Sequence, residues 1–328
     1  MVEMFTGARR LSTEPIVQPG SIPGYGPVFN AGLVHHEGRY HLFARAVRDG
    51  YRPNPGSGAR FLDYVSDVVV LTSDDGLRYE FEYVLSRPGP GVAAFEDPRV
   101  QWVTDGGERR LVMTYTHLPE TDTMPWRIGA VELDFRDGRF VTLDHTEALL
   151  GPDGIGNKDA VLFDLADGRI AFIHRIHPNV QIAVFDSLAE LWNADHDYWT
   201  PYLAALDDHV IIAPEPGSFG VGAGAPPIAI ADGHLFFFHE RERCGRYTAK
   251  VALLDAVTGR VRSVASEPFL VPELEWERRG DVDDVVFVQG AHLHDDGTVY
   301  LTYGAADRCV GALTWHVDHA RAHLGSVA

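Results

Sequence analysis

Among 328 residues only two are cysteines, Cys244 and Cys309. That is too few for a disulfide scaffold or a thiolate zinc site; it fits a reducing compartment, with one optional bridge left open. Basic residues are scarce as well: 28 Lys and Arg stand against 47 Asp and Glu, a formal net charge of -19. A field of that sign repels a phosphate backbone and leaves no basic stripe, so neither nucleic acid nor an anionic membrane is expected as a partner. It also disfavours an anionic ligand unless a few Arg, Lys or His build the site locally. Long apolar runs are missing: nothing approaches the roughly 18 residues of a membrane span, and Met1 to Arg10 has no signal-peptide-like stretch. The expectation is a soluble, cytoplasmic protein.

Helical periodicity is nearly absent. The best candidate, Ser187 to Ala194, is about two turns long, which argues against alternating βαβ units and a parallel sheet. What the chain does have is glycine (33), proline (20) and short runs rich in β-branched and aromatic residues. Tyr40 to Ala46, Val68 to Thr72, Arg110 to Thr116, Arg169 to Arg175, Val180 to Phe185, His234 to His239, Thr298 to Tyr303 and Val310 to His316 are each bounded by turn formers, the signature of strands in series.

A looser recurrence shows when strands are aligned on the turn before them. Tyr40, Leu111, Ile170, Leu235 and Val299 then lie 71, 59, 65 and 64 residues apart, a spacing at which a repeat architecture is to be suspected. Five such units fill the chain, and each is long enough for four strands and loops. The expected fold is all-β: one domain over residues 1–328, a five-bladed β-propeller, with a pair of β-sandwiches as the competing reading. A propeller gathers its ligand where the innermost strands converge, so polar residues recurring at the unit spacing are the ones to examine.

Five polar clusters recur in this way: Phe29-Asn30-Ala31-Gly32 with Arg45; Glu96-Asp97-Pro98-Arg99-Val100; Asn157-Lys158-Asp159-Ala160 with His174-Arg175; Gly222 to Ile228 with His239; and Gly304-Ala305-Ala306-Asp307. Singly, each reads most simply as a turn or a solvated face. In order and spacing, from Phe29 to about Trp315, they resemble glycoside hydrolase family 130, the mannoside phosphorylases and related mannosidases, which are five-bladed propellers. Lys-Asp-Ala-Val-Leu-Phe at 158–163, Gly-Ala-Gly-Ala-Pro-Pro-Ile at 222–228, Val285-Val286-Phe287 and Tyr-Gly-Ala-Ala-Asp at 303–307 carry the resemblance further.

The resemblance implies an enzyme that cleaves β-mannosides with inversion. It assigns Asp97 as general acid, its proton travelling through a mannose hydroxyl in the phosphorylases, and Asn30, Arg45 and Asp307 as contacts to the mannose ring. Those residue types suit sugar hydroxyls, since an amide both donates and accepts and charged groups bond strongly. Glu96 would orient Asp97 or raise its pKa; Arg99 would bind an acceptor sugar or pair with Glu96. Tyr115, His117 and Trp126 are candidates for a platform under the leaving sugar, with Tyr115 also readable as core.

Inversion needs a nucleophile on the opposite face of the sugar: phosphate held by cations, or water activated by a carboxylate. For phosphate, the resemblance implies Lys158, Arg175 and His239, plus a lysine whose position is taken here by Gly220. Arg241 or Arg243 could stand in for it. For hydrolysis the bases to watch are Glu240 and Glu215. Phosphorolysis to α-mannose 1-phosphate is the leading reading, with a hydrolase as runner-up and a catalytically inactive sugar-binding propeller behind it. No cofactor is expected beyond inorganic phosphate as co-substrate. No catalytic metal is expected either, because His35, His36 and His41, or His292, His294, Asp295 and Asp296, sit in apparent turns without a compact ligand spacing. The partner is a small oligosaccharide; linkage, acceptor and oligomeric state, homo-oligomers included, stay open.

Overall fold

The computed structural model describes residues 2–4, 6–56, 60–120 and 125–325. Parts of the loops 51–63 and 118–125 lie outside the described residues. Strands dominate, and they form antiparallel meanders of four. The first runs through Tyr25–His36, Arg39–Arg48, Ser66–Ser73 and Glu80–Ser86, the second through Val92–Asp105, Glu108–Pro119, Arg127–Arg136 and Arg139–Thr142. A single parallel pairing, Ser66 with Ala94, joins these two into one nine-stranded sheet. The third comprises Asn157–Asp164, Ile170–Ile176, Val180–Phe185 and Val210–Ile212; the fourth, Ser218–Ala223, Gly233–Glu242, Tyr247–Leu254 and Val261–Val264. The last contains Val286–Leu293, Thr298–Ala305 and Cys309–His316, and the N-terminal pair Arg9–Arg10 adds its outer strand beside Cys309–His316.

Seven of the eight strand runs read from the sequence lie within these bounds, and the eighth, Arg169 to Arg175, starts one residue ahead of its strand at Ile170–Ile176. The predicted short helix forms at Leu188–Trp192, with Ser187 as its N-cap accepting from the Glu190 amide. A second helix, His196–Ala204, was not anticipated; it is capped by Asp195 and turns Trp199 and Tyr202 into the core. No helix among the described residues is long and apolar enough to cross a membrane. Cys244 is exposed and Cys309 buried, and both are free.

Alternation along the strands sets the packing. In Gly233–Glu242, Leu235 and Phe237 point to one side while Phe236 and Phe238 point to the other, so a continuous apolar run signals a strand covered on both faces. Five apolar clusters result, each between consecutive meanders. Phe43 and Val70 meet Leu111 and Met113; Val112 and Ile128 meet Leu162 and Phe172; Ile173 and Ile182 meet Phe236 and Phe238; Leu235 and Phe237 meet Val286 and Leu301. The fifth cluster packs Tyr300, Val310 and Ala312 of the last meander against Val28, Leu42 and Val69 of the first.

Side chains of first and second strands also donate to backbone carbonyls on the first strands of other meanders. Thr302 donates to Ala31 O at 3.0 Å, Thr114 to Ala160 O at 2.6 Å and Gln289 to Pro98 O at 2.9 Å. Gly32 lies so close to Pro98 O and Arg99 that a Cβ there would collide with backbone. Segments far apart in sequence therefore meet with their polar motifs side by side.

Candidate active site

Three of the first strands break register at one place. The breaks fall between Phe29 and Gly32, between Glu96 and Arg99, and between Lys158 and Val161. Inside them Asn30, Asp97 and Asp159 have φ of 46°, 51° and 55°. A β-bulge re-aims its extra residue, and Asn and Asp tolerate the left-handed region better than other non-glycine residues. Each bulge thus presents a short polar side chain where the strands converge.

The first group forms around Asp97. Its Oδ1 accepts from Asn30 Nδ2 at 2.7 Å and from Arg45 Nη1 at 3.2 Å, while no hydrogen bond reaches Oδ2 from the described residues. Arg45 Nη2 also donates to Glu96 and to the Tyr64 hydroxyl, and its guanidinium lies over the Phe29 and Tyr64 rings. Gly304 presses on Asn30: a Cβ at position 304 would overlap Asn30 Oδ1. Next to this group, burial pushes the Asp307 carboxyl up to about 7; Arg45 opposes the shift, and Asp97, Glu96 and Asp281 add to it. The surroundings thus favour the protonated form of Asp307 up to near neutrality.

Arg99 joins this group to a second one. Its guanidinium, 1% exposed, donates to Asp97 O at 3.1 Å, Gly224 O at 2.8 Å and Ala223 O at 2.6 Å, and Nη2 lies 3.2 Å from Asp159 Oδ1. The expected Arg99–Glu96 pair does not form: the register break turns Arg99 toward the neighbouring strands, and Arg45 takes Glu96. An acceptor-binding role does not fit a guanidinium closed off by three carbonyls and a carboxylate.

Asp159 anchors the second group. Arg175 Nε lies 2.9 Å from Asp159 Oδ2, and His239 Nε2 lies 3.8 Å from the same oxygen. Burial alone would raise this carboxyl, but Arg175, Arg99, Lys158 and His239 together hold it well below the usual range. Burial also drives the His239 imidazole down to about 3, so it is neutral at physiological pH. Gly222 makes the crowding feasible, since any Cβ there would overlap both Asp159 and the His239 ring. Lys158 sits opposite Arg175 across the hairpin, its ammonium 5.5 Å from the Trp126 ring centre. His174, although beside Arg175, points the other way and is fully buried between Asn157 Oδ1 and the Tyr202 hydroxyl.

Glu240 and Glu215 are elsewhere. Alternation puts Glu240 on the opposite face of its strand from His239, where it holds Lys250 at 2.8 Å and accepts from the Glu215 amide. Buried but paired in this way, Glu240 titrates below its ordinary value, while the Glu215 carboxylate is mostly in solvent. Tyr115 is core, 4% exposed and donating to Glu147, whereas Trp126 is 44% exposed. A cleft of about 1290 Å³ opens over the first group, lined among others by Arg45, Tyr64, Glu96, Trp126 and Asp307. Its size exceeds that of a usual small-ligand pocket and suits an oligosaccharide.

Paired carboxyls at the floor of a large cleft, with a cationic group joined to them through one arginine, are the parts of a glycoside-cleaving site. The family described as β-1,4-mannooligosaccharide phosphorylase matches residues 10–321. The chain belongs to glycoside hydrolase family 130. Members of that family are glycoside phosphorylases or hydrolases. Two similar relatives come from Thermoanaerobacter sp. (strain X514): a 1,2-β-oligomannan phosphorylase, 28% identical, and a β-1,2-mannobiose phosphorylase, 30% identical; each match covers 92% of this chain and 95% of the relative. The fold is that of the Listeria innocua β-1,2-mannobiose phosphorylase solved with β-1,2-mannobiose, at a TM-score of 0.77 and 19% identity over 97% of this chain and 99% of that one.

Sequence reasoning missed several residues of this family 130 site. Tyr64 donates no motif, yet it backs Arg45; Tyr247 lies beside His239 and Arg241, within the electrostatic reach of Asp307, Arg175 and Asp159. Phe287 packs against His239, the ring centres 4.2 Å apart and the planes tilted by 34°. Only Phe287 was within a recognised motif.

Proposed function

We propose that this protein is a five-bladed propeller that cleaves β-mannosides by inverting phosphorolysis, releasing α-mannose 1-phosphate. The five apolar clusters between consecutive meanders, the last joining the end of the chain to its beginning, support the propeller. The observation that carries the reaction is the Lys158, Arg175 and His239 group, joined by way of Asp159 and Arg99 to the backbone of Asp97, in a protein whose overall charge would otherwise repel phosphate. Names of the relatives favour a β-1,2-linked mannooligosaccharide as substrate.

In this reading mannose lies against Asn30, Arg45 and Asp307, and Asp97 supplies the proton to the leaving oxygen by way of a mannose hydroxyl. Asn30 and Arg45 fix Asp97 Oδ1, which leaves Oδ2 toward the sugar. Phosphate approaches the anomeric carbon from the side of Lys158 and Arg175, with neutral His239 as a hydrogen-bond donor. Asp159 holds Arg175 and Arg99 in place, and the partial neutralisation keeps the pocket from clamping phosphate too firmly to react. Against hydrolysis stands the position of Glu240, turned away from this pocket and engaged by Lys250.

The test is to incubate the enzyme with β-1,2-mannobiose with and without inorganic phosphate. Phosphorolysis predicts cleavage that rises with phosphate concentration, with α-mannose 1-phosphate as product. Equal rates in both conditions, with mannose alone as product, would assign the hydrolase.

A further inference from the structure

We propose that Arg241, with His177 beside it, supplies the cation for inorganic phosphate that a lysine at position 220 would otherwise provide. This rests on the phosphorolytic reading and deepens it by naming a further residue that binds the nucleophile.

The strand register gives the first argument. In the third meander Lys158 is the cross-strand partner of Arg175; in the fourth, Gly222 is the partner of His239 and Gly220 the partner of Arg241. Cross-strand partners hold their Cβ atoms about 4.5–5.5 Å apart. Arg241 therefore reaches the space beside Gly220 from the position directly opposite, on a side chain long enough to cover the gap. His239 and Arg241 are two residues apart and share a face, and both lie against the Tyr247 ring, at 5.8 and 5.6 Å.

Space gives the second argument. The room beside Gly220 is filled by the His177 ring, whose nearest atoms would be 3.1 Å from a Cβ at that position. A lysine there would have to displace the ring. His177 packs on Phe219 at 4.8 Å, and the Arg241 guanidinium lies 4.5 Å from the centre of the same ring. Phe219 thus holds both basic groups together, and Arg175, Arg241 and Lys158 all disfavour the charged form of His177 after burial has done so.

Unused hydrogen-bonding capacity gives the third. Among the described residues no carboxylate lies within 4 Å of Lys158, His177 or Arg241, though most arginines of this chain are so paired. Arg241 Nε and the Nδ1 of His239, a side chain 3% exposed, are buried without a hydrogen-bond partner. Buried donors left unmatched are costly, and a cluster of them points to an anion as the absent partner.

The experiment measures cleavage of β-1,2-mannobiose against phosphate concentration for the parent, Arg241→Met, Arg241→Lys and His177→Gln, with phosphate binding by titration calorimetry and thermal unfolding measured in parallel. Loss of one charge-assisted contact predicts that Arg241→Met raises the phosphate KM by about tenfold to a hundredfold, with the mannobiose KM unchanged. Arg241→Lys should recover most of the loss, and His177→Gln should raise the phosphate KM a few-fold. A phosphate KM within twofold of the parent in Arg241→Met, in a phosphate-dependent parent, overturns the inference. If the parent cleaves equally without phosphate, the phosphorolytic reading has failed, and calorimetry with inorganic phosphate decides separately: binding by the parent and not by Arg241→Met upholds the site, and no binding by the parent overturns it. Should Arg241→Met fail to fold, Arg241→Gln takes its place, and a phosphate KM within twofold of the parent in that variant overturns the inference.

Discussion

Replacing Arg99 by Met separates a residue that builds the site from one that touches sugar. The guanidinium is 1% exposed and donates to Gly224 O, Ala223 O and Asp97 O while pairing with Asp159 at 3.2 Å. Removing one partner of a buried ion pair costs about 3–5 kcal/mol. Asp159 keeps Arg175, which lowers the cost, but three carbonyls lose a donor, so about 3–4 kcal/mol is expected. With an unfolding entropy of about 2.1 cal/mol/K per residue, this chain loses about 4–6 °C of Tm, read by scanning calorimetry. The kcat should fall as well, because the Asp97 backbone loses its tether, while the KM for the acceptor mannose in the synthetic direction stays at the parent value. A Tm within 1 °C of the parent (a margin of about 0.7 kcal/mol), together with a raised acceptor KM, would refute this and return Arg99 to the sugar.

Gly304→Ala should cut kcat/KM at least about tenfold with the fold retained, since the new Cβ overlaps Asn30 Oδ1 and must displace the side chain that orients Asp97; circular dichroism and steady-state kinetics on one sample check it. Asp307→Asn should alter how stability depends on pH. The Asp307 carboxyl is pushed from 3.8 up to about 7, so between those values the native state holds a proton that the unfolded chain releases, and parent stability declines as pH rises through the window. The Asn variant lacks that slope and should gain on the parent from pH 4 to pH 7, by on the order of 2 kcal/mol after allowance for solvent in the cleft. Parallel stability curves for the two proteins would show that Asp307 is not the raised carboxyl.

The strands read from the sequence are second and third strands of their meanders, where alternation and turn formers mark them plainly, as at Thr298–Ala305 and Val180–Phe185. The first strands of the meanders were not read as strands, and the reason is physical. Val92–Asp105, Asn157–Asp164 and Ser218–Ala223 carry proline, glycine, charged residues and bulges that break the period of two, since these are the strands that face the site. Resemblance supplied Asp97, Asn30, Arg45 and the cationic group, but not their partners. Tyr64 and Tyr247 reach the site from positions where an isolated aromatic reads as core. The expected partner of Arg99, Glu96, stands three residues before it but across a bulge, whereas Asp159 is the carboxylate it meets in space. His177 and Arg241 come together only through the pairing of Ser218–Ala223 with Gly233–Glu242 and the packing on Phe219.

The spacing that suggested repeats has its structural counterpart in the bulges. Asn30, Asp97 and Asp159 follow one another at 67 and 62 residues, each in a register break and each with positive φ. The same backbone device recurs with different chemistry: an amide that donates to Asp97, the carboxyl proposed as the acid, and the carboxylate that meets Arg175 and Arg99. Asn and Asp are demanded there twice, by the left-handed backbone and by the polar contact. The consequence bears on how the acid is tested. Asp97→Ala adds about 1 kcal/mol of backbone strain to the lost carboxyl, so its inactivity would mix a moved strand with a missing proton. Asp97→Asn keeps the shape, tolerates φ of 51° and can still meet Arg45 or Asn30 through its amide. Loss of turnover in that variant therefore reports on the proton alone.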